Sequence, residues 1–387
     1  MDRAHVLQLT AQLRGQLAAA DSSPSPPSAR PPPSASREPL FAVPAECYRD
    51  AGVLERERAA LAAAPRVVAA ASALAPGAWL PVDLPGTSLL LARDADGTVR
   101  GFRNACRHRG TRLVDAPCAA AKAITCPYHA WTYDLAGRLI HLPHAAAFPG
   151  IDPADRGLAP LPVVERHGLI WLGTDVDAHL GALGADLAAL DLDRHVLWRR
   201  GRARRRCNWK LVIEAFLDGY HIRVLHRDSV YRFFLDAMSV AEPVGPHIRA
   251  LTARRALRDA PTDVDALSPS ALRLLATPSL LVFPFTTVVE HPDFLSIMVA
   301  EPIAPDITDW DHLMLVPADR IHETEHWDRS WQLIEEGVFQ SEDLWVCEQA
   351  QRSIATGDTT ELIFGALEFP VQWFHAALAR AAGQAKV

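Results

Sequence analysis

The chain has 387 residues, 49% hydrophobic and 22% charged, with a formal net charge of −7. This composition excludes a wholly disordered or fibrous chain, and the length suits two domains or one large one. The negative balance argues against binding nucleic acid through its phosphates, and six cysteines are too few for a disulfide scaffold.

Val6, Leu9, Leu13 and Leu17 sit at helical spacing, so residues 1–20 can form a short amphipathic helix. Asp21 to Ser36 then holds six Pro and six Ser in 16 residues, which cannot bury a core and predicts a linker. The whole of 1–37 is expected to be a disordered, Pro/Ser-rich tail. Short strands follow from Val67 to Gly173. Thr87–Arg93 leads into the turn Asp94-Ala-Asp-Gly97, Asp134–Gly137 is a second turn, and Gly168–Gly173 is another strand. Beyond Gly173 the pattern becomes mixed. Helices are expected over Leu180–Leu192, Trp209–Leu225, Trp327–Ala355 (stopped by Gly357) and Val371–Ala382. Strands are expected over Leu280–Phe285, Thr286–Val289 and Leu295–Val299. The reading is a small all-β unit followed by an α+β unit. No signal peptide is visible at Met1-Asp-Arg-Ala-His5, and no run of about 18 apolar residues could cross a membrane. A cytoplasmic chain with reduced thiols is expected.

The most informative stretch is Cys106-Arg-His108, then 17 residues, then Cys126-Pro-Tyr-His129. Each half supplies one thiolate and one imidazole. A Rieske 2Fe–2S cluster needs two Cys on one iron and two His on the other, which two such loops deliver. A structural zinc site usually separates its Cys half from its His half, so the mixed halves favour the cluster. Cys47, Cys118, Cys207 and Cys347 have no ligand spacing.

A second constellation is Asp218-x2-His221-x4-His226. Histidines at i and i+5 leave one another's face on a regular helix, so both reach one metal only if the helix ends or bulges there. Asp218 shares a face with His221. Two His plus one carboxylate form the facial triad of non-haem Fe(II) oxygenases. The best third ligand is Asp343, on a stripe with Cys347, Ala350 and Ile354 that otherwise faces the core; Glu342 and Glu348 are the runners-up.

Together these motifs resemble the catalytic α subunits of Rieske non-haem iron aromatic-ring-hydroxylating oxygenases. The resemblance runs from about residue 40 to 382. It includes Asp94–Cys106, Cys126-Pro-Tyr-His-Ala-Trp131, Asn208-Trp-Lys-Leu211, Asp218–His226, Ser341-Glu-Asp343 and Leu367–His375. It implies an α+β chain in which an all-β Rieske domain joins a helix-grip catalytic domain, an antiparallel sheet with helices. The implied division is 38–66 as a helical segment packing on the catalytic domain, 67–173 as the Rieske domain and 174–387 as the mononuclear iron domain. Cys106, His108, Cys126 and His129 would hold the cluster, and His221, His226 and Asp343 the mononuclear Fe(II). Asp218 would be the carboxylate bridging, for electrons, to a cluster histidine of a neighbouring subunit. The chain departs from many relatives with Ala215 in place of an Asn and Asp218 in place of a Glu.

The implied activity is hydroxylation of an organic, aromatic substrate with O2, as in aromatic catabolism; the alternative is a mono-oxygenase that demethylates or oxidises a quaternary ammonium compound. Neither a G-x-G-x-x-G fingerprint nor a plant-type ferredoxin spacing is present, so NAD(P)H is expected to act through a separate flavin/iron–sulfur reductase, with or without a ferredoxin. A homotrimer is implied and a β subunit stays open; no nucleic-acid or membrane partner is expected. Six Arg in the eight positions Arg199–Arg206 read as an edge strand, or as a docking patch for an acidic donor. Glu290, His291 and Asp293 read as a polar strand end, or as lining of the substrate pocket, and Trp198, Trp345 and Trp373 as core. His141, His144 and His375 have no partner legible in the sequence.

Overall fold

Proline and glycine punctuation sets the strand breaks of the first unit. Pro85-Gly86 closes a hairpin in which Leu84 pairs with Thr87, and Gly86 supplies the positive φ of +76° that the turn needs. At the next turn Gly97 takes φ +89° and its N–H reaches Asp94 O at 3.2 Å. The run Leu89-Leu-Leu-Ala92 is apolar at successive positions because its strand is buried on both faces. Leu90 and Ala92 face a core with Trp79, Phe102 and Tyr133, while Leu89 and Leu91 face one with Val68, Leu80 and Ile170.

The computed structural model describes residues 1–22, 40–119, 121–261, 263–264 and 266–383. Two units separate: Pro65–His179, and Met1–Ala64 together with Leu180–Val387. The Pro65–His179 unit holds three small antiparallel sheets. One runs Trp79–Leu84, Thr87–Arg93, Val99–Arg103, Pro160–Leu161; another Val163–Arg166, Leu169–Leu172, Arg66–Ala70; the third Ala123–Thr125, Thr132–Asp134, Leu139–His141.

The larger unit is built on a seven-stranded antiparallel sheet. From edge to edge it runs His195–Arg205, Ile307–Pro317, Leu295–Ala304, Thr286–Glu290, Ala276–Val282, His247–Arg254, Phe234–Val244. The helices Trp209–Leu217 and Phe369–Ala381 pack through Trp209 and Phe374, whose rings meet edge-on at 5.7 Å. The helix Ala51–Leu61 joins this unit through Glu57, which takes the buried Lys210 ammonium at 2.6 Å. The fold therefore comprises an all-β unit and a helix-grip α+β unit, as the resemblance implied.

Several expectations change. Arg3–Ser22 is not a tail but a 20-residue helix lying on the Phe234–Val244 and His247–Arg254 strands. Its stripe of Val6, Leu9, Leu13 and Leu17 is buried, and a sheet face gives that stripe something to cover. The Pro/Ser-rich segment from Ser23 lies outside the described residues. Leu180–Leu192 breaks into short turns at Gly181 and Gly184, and the strand expected at Leu280–Phe285 spans Ala276–Val282. Trp345 is exposed rather than core. No helix among the described residues is long and apolar enough to cross a membrane.

The Arg199–Arg206 run lies mostly on the edge strand His195–Arg205 and is answered by acids. Arg200 and Arg202 meet Asp311, Arg204 meets Asp309 at 2.8 Å, Arg199 meets Asp328 at 2.7 Å and Arg205 meets Glu348 at 3.2 Å. The register puts Arg202 opposite Asp311 and Arg204 opposite Asp309, so the charge is largely cancelled within the sheet.

Candidate metal centres

In the Pro65–His179 unit, Cys106 and Cys126 each open a loop of the same construction. Cys106 O accepts from Gly110 N at 2.9 Å, and Cys106 N donates to Thr111 O at 2.8 Å. Cys126 O accepts from Ala130 N at 3.0 Å, and Cys126 N donates to Trp131 O at 2.8 Å. Both loops turn on a left-handed residue four positions after the cysteine, Gly110 at φ +75° and Ala130 at φ +55°. The repeat presents Cys-x-His and Cys-x2-His side by side.

The two thiols are buried while His129 is exposed and His108 half-buried. The imidazole rings of His108 and His129 lie 4.7 Å apart, His108 stacks on Trp131 at 5.0 Å, and Tyr128 stacks on His129 at 3.8 Å. Tyr133 reaches Cys106 Sγ at 3.3 Å and also accepts from Arg107 N at 3.0 Å. Burial pushes the Cys106 thiol up, and the Tyr133 hydroxyl pulls partly against it. Buried thiols and outward imidazoles suit a two-iron cluster, one iron held by sulfur and the other by nitrogen.

The second centre is in the larger unit. Asn208 caps the helix Trp209–Leu217 by accepting from Lys210 N at 3.0 Å, and the helix stops at Asp218. A single helical turn, Ile222–Leu225, follows, with His221 and His226 at its two ends. That break resolves the i, i+5 spacing: the rings face one another with Nε2 atoms 3.1 Å apart.

Asp343 arrives from the other side. The expected long helix is Thr324–Trp331, then a π-helical stretch Gln332–Asp343, then Leu344–Thr356, stopped by Gly357 at φ +82°. The wide turns end at Asp343, so the insertion sets which residues of this helix face the histidines. Asp343 Oδ1 lies 3.2 Å from His226 Nε2 and 3.6 Å from His221 Nε2. This oxygen is buried and has no hydrogen-bond partner among the described residues. The ligand atoms of His221, His226 and Asp343 all lie within 4.8 Å of one another.

The opposite nitrogens explain the orientation. His221 Nδ1 meets Asp218 Oδ2 at 3.1 Å, and His226 Nδ1 meets Glu342 Oε2 at 2.7 Å. Ser229 Oγ donates to the same Glu342 oxygen at 2.7 Å. A carboxylate on each Nδ1 fixes the proton there and leaves each Nε2 as a lone pair. Burial opposes charging His226, but Asp343 and Glu342 outweigh it and raise its pKa. Two imidazole lone pairs and an orphaned carboxylate oxygen aimed at one point fit a divalent metal, and the two-His, one-carboxylate set suits Fe(II).

Sequence reasoning weighed Glu342 only as an alternative ligand; its side chain orients His226 instead. Glu348 is engaged by Arg205 and Arg206. Three partners were missed. Ser229 and Tyr133 carry no local signal. His375 accepts no lone fate either: its Nε2 meets Glu214 Oε1 at 2.8 Å, and Tyr48 donates to the same oxygen at 2.8 Å.

A cavity of about 290 Å³ opens onto the three residues. Its sheet wall comes from alternate residues of neighbouring strands, Thr252 and Arg254, then Thr277 and Ser279, then Val289. The opposite wall is apolar, with Phe216, Ile334, Val338 and Phe339. His291 lines it as well, rather than ending a polar strand. Glu290 instead holds the amino group of Met1, and Asp293 pairs with His326 at 2.6 Å. Burial drives the His291 pKa down to about 3, so the ring is neutral, and it meets Ser296 Oγ at 3.0 Å.

Residues 64–161 match the model of the Rieske 2Fe–2S domain, and residues 192–384 that of the ring hydroxylating alpha subunit (catalytic domain). The oxygenase subunit of carnitine monooxygenase from Escherichia coli K12 is 29% identical over 201 residues, covering 50% of this chain and 54% of that protein. Chlorobenzene dioxygenase subunit alpha from Cupriavidus sp. strain PS12 is 32% identical over 178 residues, covering 41% and 38%. The matched part of the chain thus spans 54% of the length of the carnitine enzyme and 38% of that of the chlorobenzene enzyme. In fold, the chain is similar to a quaternary ammonium Rieske monooxygenase crystallised with L-carnitine, at a TM-score of 0.75 and 21% identity over 88% of this chain and 95% of that one. It is also similar to naphthalene 1,2-dioxygenase from Rhodococcus sp., at a TM-score of 0.71 and 20% identity over 96% and 98%. Both family models match in the order in which the two candidate centres occur, and the chain belongs to the catalytic α subunits of the Rieske non-haem iron ring-hydroxylating oxygenases.

Proposed function

We propose that this chain is a terminal oxygenase component that hydroxylates a small organic substrate with O2, on electrons from NAD(P)H passed through a separate reductase. The observation that carries the reading is the buried, unbonded Asp343 Oδ1 beside two imidazole Nε2 atoms whose other nitrogens are held by carboxylates. In this reading Cys106, His108, Cys126 and His129 hold the 2Fe–2S cluster, and His221, His226 and Asp343 hold the mononuclear iron. When bound, the cluster supplies single electrons and the iron supplies dioxygen chemistry at its open positions.

The chain's own residues do the rest. Asp218 and Glu342 keep the Nδ1 protons in place and so keep both Nε2 atoms free to bind metal. Ser229 holds Glu342 in turn. The apolar wall of the cavity excludes water and positions the substrate's reacting carbon near the triad. Asp218 has a further proposed role, as the carboxylate linking His221 to a cluster histidine of a neighbouring copy, which makes the working unit a ring, most simply a homotrimer. A reducing cytoplasm suits the six unpaired thiols.

A second reading is mono-oxygenation of a quaternary ammonium compound. It is favoured by the carnitine monooxygenase similarity and by a 31% identical stretch of a glycine betaine monooxygenase from Chromohalobacter salexigens.

The test is metal and sulfide analysis of anaerobically purified protein, with EPR after dithionite. About three irons and two acid-labile sulfides per chain support both centres. Zinc without sulfide overturns the oxygenase reading. The purified chain is expected to form no product on NADH alone, and steady turnover without an added reductase contradicts the partner assignment.

A further inference from the structure

The cavity beside the triad contains a charge that the proposed reaction does not use. Arg254 ends the strand His247–Arg254 and shares its cavity-facing side with Thr252. Its guanidinium lies 5.3 Å from the ring centroids of both Phe233 and Phe234 and donates one hydrogen bond, to Thr277 Oγ1 at 3.3 Å. Among the described residues no carboxylate stands within ion-pair distance of it. Arg249, on the same strand, differs: it meets Asp186 at 3.1 Å and Glu242 at 2.9 Å.

A guanidinium has five N–H donors in a planar fork, and most of this one's are unclaimed. Stacking on two phenylalanines fixes the plane without satisfying the donors. Burial alone depresses the Arg254 pKa, with no acid opposing it, so the group is held charged in a partly dry site without a counter-charge. Such an arrangement is costly for a structural residue and useful for a recognition residue. The two acids in the cavity, Asp218 and Asp343, are both committed to the histidines.

We infer that the substrate is a small apolar monocarboxylate whose carboxylate is bound by the Arg254 fork, with its hydrocarbon body against Phe216, Phe339 and Val338. This rests on the oxygenase reading and names the substrate class for that site. One unpaired cation and a neutral His291 call for a single negative charge. The volume of about 290 Å³ is at the small end of ligand pockets, which suits one ring or a short chain. A ligand that is only a cation meets an arginine with the wrong sign and finds no free acid in the cavity.

The test is binding, read by calorimetry on the anaerobically purified, iron-loaded chain, with benzoate, benzamide and choline as probes. Benzoate is expected to bind and benzamide, of the same shape without charge, at least about tenfold more weakly, as for a lost charge-assisted bidentate pair. Arg254→Gln is expected to weaken benzoate about tenfold or more and leave benzamide unchanged, and Arg254→Lys to recover part of the loss. The inference is overturned if benzamide matches benzoate, if choline binds more tightly than benzoate, if Arg254→Gln leaves benzoate affinity within twofold, or if benzoate does not bind. Iron and sulfide are measured on the same samples. A sample with its full iron and sulfide that ignores benzoate sinks this inference alone; one with zinc and no sulfide sinks the oxygenase reading beneath it.

Discussion

The two candidate centres are built on opposite principles. The cluster cradle draws its ligands from Cys106 to His129 and holds them with backbone: paired N–H and C=O bonds at each cysteine and a left-handed residue closing each loop. The mononuclear site reaches from His221 to Asp343 and holds its ligands with side chains, Asp218 on one imidazole, Glu342 with Ser229 on the other. A backbone cradle is specified locally and fails through conformation. A side-chain cradle is specified by packing at a distance and fails through chemistry.

The largest effect is expected at Asp343. Asp343→Ala removes the one anionic donor of the three and should abolish activity, with iron falling from about three to about two per chain while sulfide and the Rieske EPR signal persist. Loss of sulfide as well would mean that the two centres do not fail separately, and the comparison would break. Next is Glu342→Ala. It leaves all three ligands in place but frees the His226 tautomer, and loss of such an orienting partner costs about 10–100-fold in metal affinity. Iron titration of the apo-site reads this directly. An unchanged affinity would show that helix geometry alone orients His226.

The same contrast explains what was legible in the sequence. The proposed cluster ligands stood out because their spacing is the structure: Cys-x-His and Cys-x2-His are each one loop. His221 and His226 were readable as a pair with a stated condition, that the helix end or bulge there; the long helix stops at Asp218, before both, and they flank the single turn Ile222–Leu225. Asp343 was found through the cost of an acid on a core stripe. Glu342 was a runner-up to Asp343 in the sequence, and its contact with His226 Nδ1 was not legible there, because a π-helical stretch over Gln332–Asp343 has no signature in residue types. Arg254 escaped notice for a different reason. A strand of alternating burial shows which residues share a face, but not that one face borders a cavity instead of solvent. The N-terminal helix was under-read because the Pro/Ser-rich segment after it dominated the composition.

Smaller effects belong to the backbone-built unit. Gly137 closes the turn after the Cys126 loop at φ +78°, and a Cβ there would sit 2.4 Å from Phe102 Cε1. Gly137→Ala combines left-handed strain with overpacking and should destabilise this unit by about 2–4 kcal/mol. The expected readout is bleaching of the cluster absorbance at lower temperature, with the iron content of the His221 site intact before heating. Bleaching at the parental temperature would show that the turn adapts.

The smallest effect is the most discriminating, because it compares the two loops with each other. Gly110 and Ala130 occupy equivalent positions, both left-handed, yet only one is glycine. A Cβ at Gly110 would meet nothing within 4 Å, so Gly110→Ala adds only backbone strain, about 1–2 kcal/mol, offset in part by about 0.4–1 kcal/mol from a stiffer unfolded chain. Ala130→Gly reverses both terms, so strain relief of about 1–2 kcal/mol outweighs an unfolded-chain cost of about 0.4–1 kcal/mol. The expectation is a small loss for Gly110→Ala, a small gain for Ala130→Gly, and simple addition in the double variant, since each loop closes on its own cysteine. If the loops instead respond equally and non-additively, the strain is shared through whatever the two thiols hold between them, and the cradle is one object rather than two repeated halves.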